Sequence, residues 1–274
     1  MKKRPAAPVL APASRLIDSH CHLDMDGYQG KLDEVIESAC RSGISRIITI
    51  GIDLASSRQA VELAGRFSGV YATVGIHPHS AEEADDEVYR KLRELTAHPK
   101  VVGFGEIGLD YAKQYAPVHI QQREFSRQLE LAKELHLPVI IHDRDAHDDT
   151  LALLRGNGPF TAGGVMHCFS GNTSFARQVL ELGFYISIPG IVTFKNATDL
   201  QQVVQEIPLE RMLLETDGPF LAPVPWRGKT NRPDYLLYTA GKVAELKNIS
   251  IDEVASQTML NTVKLFSLPQ EESI

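Results

Sequence analysis

Cysteine is scarce: three residues, Cys21, Cys40 and Cys168, in a chain of 274. An odd count in so long a chain excludes a secreted-type disulfide framework and points to a reducing cytoplasm. No apolar run reaches the length of a membrane span, so no membrane partner is expected. Gly/Ser linkers, low-complexity segments and sequence repeats are also missing. Positive charge is in deficit, with 28 Lys and Arg against 35 Asp and Glu and a formal net charge of −7. Bulk electrostatics therefore do nothing to attract a polyanion, which could bind only through bound cations and a few local Lys or Arg. The opening MKKRPAAPVLAPASR starts basic, but its apolar part is short and broken by Pro5, Pro8 and Pro12. A signal-peptide helix is not expected there. Residues 1–15 read as a flexible tail and 16–274 as a single domain, expected to act as a monomer.

What the chain does contain is a recurring unit of a short apolar or β-branched run, a polar cluster and a helical pattern. The runs fall at 15–18, 45–51, 70–76, 101–106, 138–142, 163–167, 183–188 and 211–215. Nearly continuous apolar runs predict strands buried on both faces, as in parallel sheets. Between them lie amphipathic stretches. Phe125, Leu129, Ala132 and Leu135 share a face over 121–136, and Leu32, Val35, Ile36 and Ala39 make a similar stripe closed by Gly43. A further helix is predicted over 251–266. Eight strands alternating with helices predict a distorted (β/α)₈ TIM barrel rather than an open doubly wound sheet, which has no reason to contain eight units.

In such barrels the reactive groups stand at the C-terminal strand ends. Reading those ends gives Asp18, His20 and His22 after the first strand, His77 and His79 after the third, and Glu106 after the fourth. His142 ends the fifth, His167 the sixth, and Glu215 and Asp217 the eighth. Six of the ten histidines thus collect at one end, where chance would scatter them. Along an extended backbone the period of two lets His20 and His22 converge on one ion while Cys21 turns away. Glu106 could bridge two cations with its two oxygens, or pair with an Arg or Lys. His142 and His167 read as ligands of a second ion, the alternative being hydrogen-bonded caps of their strands. Cys168 reads as packing. Asp217 could ligate the first ion and take a proton from an activated water, or cap the turn before Gly218-Pro219.

These residues, in this order, resemble the TatD family of metal-dependent deoxyribonucleases among the amidohydrolase-like barrels. The matching motifs are DSHCHLD (18–24), GIHPH (75–79), GEIGLDY (105–111), HDRDA (142–146), HCFSG (167–171), ETDGPFLAP (215–223) and RGKTNRP (227–233). They span the chain after the tail. The resemblance implies one metal site on His20, His22, Glu106 and Asp217, and a second on Glu106, His142 and His167. It implies a phosphate contact for His77 and a substrate-facing loop with Arg227, Lys229 and Asn231. Taken as residues alone, Arg227 and Lys229 read as a solvated loop. Two departures are Gly218, where the family more often carries a small side chain, and Trp226, which could stack on a base or pack against its neighbours.

The expectation is a metal-dependent hydrolase with two divalent cations, Mg²⁺, Mn²⁺ or Zn²⁺. It would cleave phosphodiester bonds in DNA or a short oligonucleotide, as a 3′–5′ exonuclease on single-stranded ends. Asp217 is the expected general base, and Glu215 is expected to assist proton transfer or orient the loop. The alternatives are hydrolysis of an ester, amide or lactone carbonyl, including a D-aminoacyl-tRNA ester, and a non-catalytic metal-binding scaffold. Imidazole favours Zn²⁺ or Mn²⁺, whereas carboxylate and water favour Mg²⁺, which is the metal the resemblance implies.

Overall fold

The computed structural model describes residues 7–113 and 115–269. One sheet of eight parallel strands runs in chain order: β1 (Leu16–Cys21), β2 (Ile44–Ile50), β3 (Val70–Val74), β4 (Val101–Asp110), β5 (Val139–Arg144), β6 (Gly164–Met166), β7 (Tyr185–Ile188) and β8 (Met212–Leu214). The helices between and after them are α1 (Leu32–Arg41), α2 (Leu54–Arg66), α3 (Asp86–Leu95), α4 (Val118–Glu134), α5 (His147–Asn157), α6 (Thr173–Glu181), α7 (Thr198–Glu206), α8 (Leu236–Lys247) and α9 (Ile251–Leu265). This is the expected (β/α)₈ barrel. Helix starts are set by local chemistry: Asp53 and Ser250 form capping boxes with Ser56 and Glu253, and Asp85 and Asn172 cap α3 and α6.

Alternate strand residues serve two cores. Ile17, Ile48, Ile50, Ile140, Val165 and Leu213 form one cluster with Leu265, Phe266 and Leu268 from the chain's end. Residues of opposite parity, such as Leu16, Ile47, Val139 and Ile186, join the helices in a second cluster. The first is the barrel interior, and the α9 end closes it from below. Phe266 reaches to within 3.2 Å of where a Cβ on Gly103 would stand.

The ring joins at β1 and β8 through side chains more than through a ladder. Cys21 and Gly218 form a single parallel bridge. Ser19 Oγ donates to the Leu214 carbonyl at 2.9 Å and meets Ser187 Oγ at 3.1 Å. Asp18 accepts from the Thr216 N–H at 3.0 Å and its hydroxyl at 2.5 Å.

One feature differs from the sequence expectation. β4 does not stop at Glu106 but continues to Asp110 around a register shift between Phe104 and Ile107. Glycines at 105 and 108, with φ of +152° and +145°, allow it. Of the tail expected over 1–15, residues 1–6 lie outside the described residues. Pro8 packs on Gly241 of α8, Leu10 packs against the core and the Ala11 N–H donates to Asp252 at 2.9 Å.

Candidate metal centre

The seam sets the first group of donors. The Asp217 N–H donates to the His20 carbonyl at 2.9 Å, and the His22 N–H donates to the Gly218 carbonyl at 2.7 Å. Asp217 itself takes a left-handed φ of +54°, which turns its carboxylate back over the strand ends. His20 Nε2 and His22 Nε2 lie 3.3 Å apart. Each faces Asp217 Oδ1, at 3.7 and 3.4 Å, and Glu106 Oε2, at 3.4 and 3.7 Å. A regular tetrahedron with a centre-to-corner distance of about 2.1 Å has an edge of about 3.4 Å. His20, His22 and Asp217 therefore have the spacing of ligands around one small divalent ion, with Glu106 Oε2 at that same spacing from both imidazoles.

Glu106 turns its other oxygen to a different set. Oε1 lies 2.7 Å from His142 Nδ1, 2.9 Å from His167 Nε2 and 3.5 Å from His77 Nε2. The Glu106 side chain is 4% exposed, so it is a buried carboxylate between two groups of imidazoles, as a bridging ligand must be. Among the described residues, Glu106 makes no ion pair with an Arg or Lys, the alternative left open by the sequence. Behind His142, Asp110 Oδ2 lies 3.3 Å from its Nε2 and 2.8 Å from His79 Nε2. The six strand-end histidines make a continuous set of ring contacts, from His20 stacked on His167 at 3.8 Å to His77 edge-on to His142 at 4.4 Å.

Charges follow from this packing. Burial alone would raise the Glu106 carboxyl, but His167, His77 and His142 outweigh it and hold it well below the usual range. Burial is likewise overcome at Asp217, which His22, His167 and His20 bring down. Both are ionised at neutral pH, as metal ligands must be. Burial, with the neighbouring His142, pushes His77 down to about 4 and leaves it neutral. At His142, bonds to Asp110 and Glu106 outweigh burial and raise it, and Glu106 and Glu215 do the same at His167. A cation placed here would take the place of those protons. Away from the donors, burial pushes Asp18 up to about 7 against its bonds to Thr216 and His20.

The structure thus brings together His20, His22, Glu106, His142, His167, Asp217 and His77. It does not place all the remaining residues as expected. Glu215 is fully buried behind His167, with Oε1 accepting the Cys168 N–H at 2.7 Å and lying 3.4 Å from His167 Nδ1. Its carboxylate stands with His20 and His167 as a further group of donors, and its bond to the Cys168 N–H ties it to the loop after β6. Asn231 is corrected outright. It is fully buried, its side-chain amide donates to the Thr216 carbonyl at 2.7 Å and its own carbonyl accepts from the Tyr28 hydroxyl at 2.8 Å. It holds the loop rather than meeting substrate.

Arg227 and Lys229 are exposed, Arg227 lying over the Phe194 ring at 4.6 Å. Trp226 stacks on Tyr235 at 4.7 Å, which favours its packing reading. Gly218 has a steric reason, since a Cβ there would come within 2.2 Å of the Tyr28 hydroxyl. Asp110 and Arg144 escaped assignment. Asp110 follows Glu106 by four residues on a strand that the sequence pattern ends at Glu106, and Arg144 stands exposed at the end of β5 two residues beyond His142.

Comparison with known proteins agrees with this geometry. The family model described as TatD related DNase matches residues 17–267. The uncharacterized metal-dependent hydrolase YabD of Bacillus subtilis is 44% identical over 92% of this chain and 99% of its own length. The 3′-5′ ssDNA/RNA exonuclease TatD of Klebsiella pneumoniae is 34% identical over 92% and 98%. The crystal structure of YjjV, a TatD homologue from Escherichia coli, superposes with a TM-score of 0.88 at 32% identity, covering 93% of this chain and 99% of that one. A barrel whose strand ends gather these donors, matched along its length in this way, belongs to the TatD family of metal-dependent hydrolases.

Proposed function

We propose that the chain is a nuclease that removes nucleotides from single-stranded DNA ends in the 3′-to-5′ direction, using two divalent cations. His20, His22, Glu106 and Asp217 would hold one, and Glu106, His142 and His167 the other. The observation that carries the reading is the division of Glu106, one oxygen facing each donor set. The exonuclease name of the K. pneumoniae relative supports the substrate and the polarity.

When bound, the cations supply Lewis acidity, neutralise charge building on the phosphoryl group and lower the pKa of an attacking water. Asp217 takes that water's proton on the carboxylate oxygen turned away from His20 and His22. His77 Nδ1 accepts the His79 N–H at 3.1 Å, so the neutral ring carries its hydrogen on Nε2, towards the site. From there it donates to a non-bridging phosphate oxygen. Arg227 and Lys229 meet the strand further out. The net charge of −7 disfavours a long duplex and leaves a strand end as the substrate.

The test pairs a labelled single-stranded oligonucleotide with lactone and aminoacyl-ester substrates, each with Mg²⁺, Mn²⁺ or Zn²⁺ and with EDTA. Oligonucleotide cleavage that EDTA abolishes is expected, and Asp217→Asn should lower kcat by at least about 100-fold with the fold retained. Turnover of the carbonyl substrates alone, or an undiminished Asp217→Asn rate, would overturn the proposal.

A further inference from the structure

The large apolar side chains exposed among the described residues are Val9, Tyr115, Phe220, Leu221, Val224 and Leu260. Two of these are aromatic: Phe220 stands against His22 of the first donor set, and Tyr115 against His79, which shares Asp110 with His142. Phe220, 48% exposed, lies edge-on to His22 at 6.0 Å, and Tyr115, 64% exposed, lies edge-on to His79 at 4.6 Å. A row of ring contacts joins them across the barrel mouth through His22, His20, His167, His142 and His79. Phe220 adjoins the first donor set through His22, and Tyr115 reaches the second through His79, whose ring lies 6.4 Å from that of His142. The Phe220 N–H donates to the Asp217 carbonyl at 2.9 Å, so the ring's backbone is tied to that of a ligand.

We propose that Phe220 and Tyr115 are stacking platforms for the unpaired nucleobases on either side of the scissile phosphate. The inference rests on the nuclease reading and adds to it the origin of single-strand preference. In a chain of net charge −7 the phosphates of a bound strand are repelled everywhere except at the cations and a few basic side chains. The uncharged π faces of the bases escape that repulsion, and stacking accepts any base. Paired bases keep their faces covered by their neighbours in the duplex, so two platforms flanking one phosphate select strands that are already unstacked.

The experiment measures kcat/KM on a single strand with normal bases and on the same strand made abasic on both sides of the scissile phosphate. Wild-type enzyme should prefer the normal strand by about 5- to 150-fold for each base stacked. Tyr115→Ala and Phe220→Ala should each shrink that ratio, and Tyr115→Phe should keep it. Because the ratio is taken within one protein, loss of folded material cancels. Equal cleavage of both strands by wild type, or an unchanged ratio in both alanine variants, overturns the clamp and leaves the nuclease reading standing. A wild type that cuts neither strand sinks both.

Discussion

A single oxygen of Asp110 lies within reach of His142 and His79, while the other accepts the Lys113 N–H at 2.9 Å. The Asp110 backbone is in turn held by Gln121, whose side chain accepts the Asp110 N–H at 2.8 Å and donates to the Asp110 backbone carbonyl at 3.1 Å. Burial would raise Asp110, but bonds from His142, Lys113 and His79 outweigh it and keep the group ionised. An acidic partner on the far nitrogen of a ligand histidine fixes the ring and raises its basicity. Asp110→Asn removes the charge and sets an amide N–H against an imidazole N–H, so metal affinity should fall by about 10- to 100-fold. Calorimetric titration with Zn²⁺ or Mn²⁺ at fixed pH measures this, and an unaltered affinity would mean that Asp110 does not orient His142. The cluster of donors at the barrel mouth was legible in the sequence because a charged or imidazole group ending an apolar run in a barrel has only the mouth to face. Asp110 was not, because the run VVGFGE reads as ending at Glu106. Asn231 was misread for a related reason: loop composition shows donors, but not that Thr216 and Tyr28 already use its polar atoms.

The elements that place these groups depend on close approach of β4 and β5. Gly108 pairs with His142 across the two strands, and a Cβ on it would stand 2.0 Å from the His142 carbonyl oxygen. Its φ of +145° is one that L side chains rarely adopt. Gly108→Ala therefore strains the backbone and pushes the strand carrying His142 away from the one carrying Glu106. A destabilisation of about 1–3 kcal/mol is expected, together with weaker metal binding. Thermal unfolding with and without metal should show a lower Tm and a smaller metal-induced rise. A variant that retained both would show that β5 can shift without disturbing the donors. The alternation of eight units was readable because strands buried on both faces leave continuous apolar runs. The bulge after Phe104 and the side-chain closure at Asp18 and Thr216 were not, since periodicity carries no record of register. The glycines at 103, 105 and 108 mark the bulge only once the neighbouring strand is known.

At the scale of the whole molecule, the barrel has one end sealed by Leu265, Phe266 and Leu268 and the other opening on the donors. Stability and chemistry are thus separated along the axis. No helix among the described residues is long and apolar enough to cross a membrane. The overall charge of −7 gives bulk electrostatics no part in attracting an anionic strand. This bears on salt dependence. Each phosphate neutralised on a single strand contributes a slope of about −0.7 to the log of affinity against the log of salt concentration. Arg227 and Lys229 are the exposed cations on the loop after β8, so two such contacts predict a slope of about −1.4. Measuring kcat/KM on a single-stranded oligonucleotide across a NaCl series, with the divalent cation saturating, tests this directly. A slope steeper than about −4 would correspond to six or more neutralised phosphates. That would require a basic track along the surface and would shift recognition from the strand end to the length of the polymer.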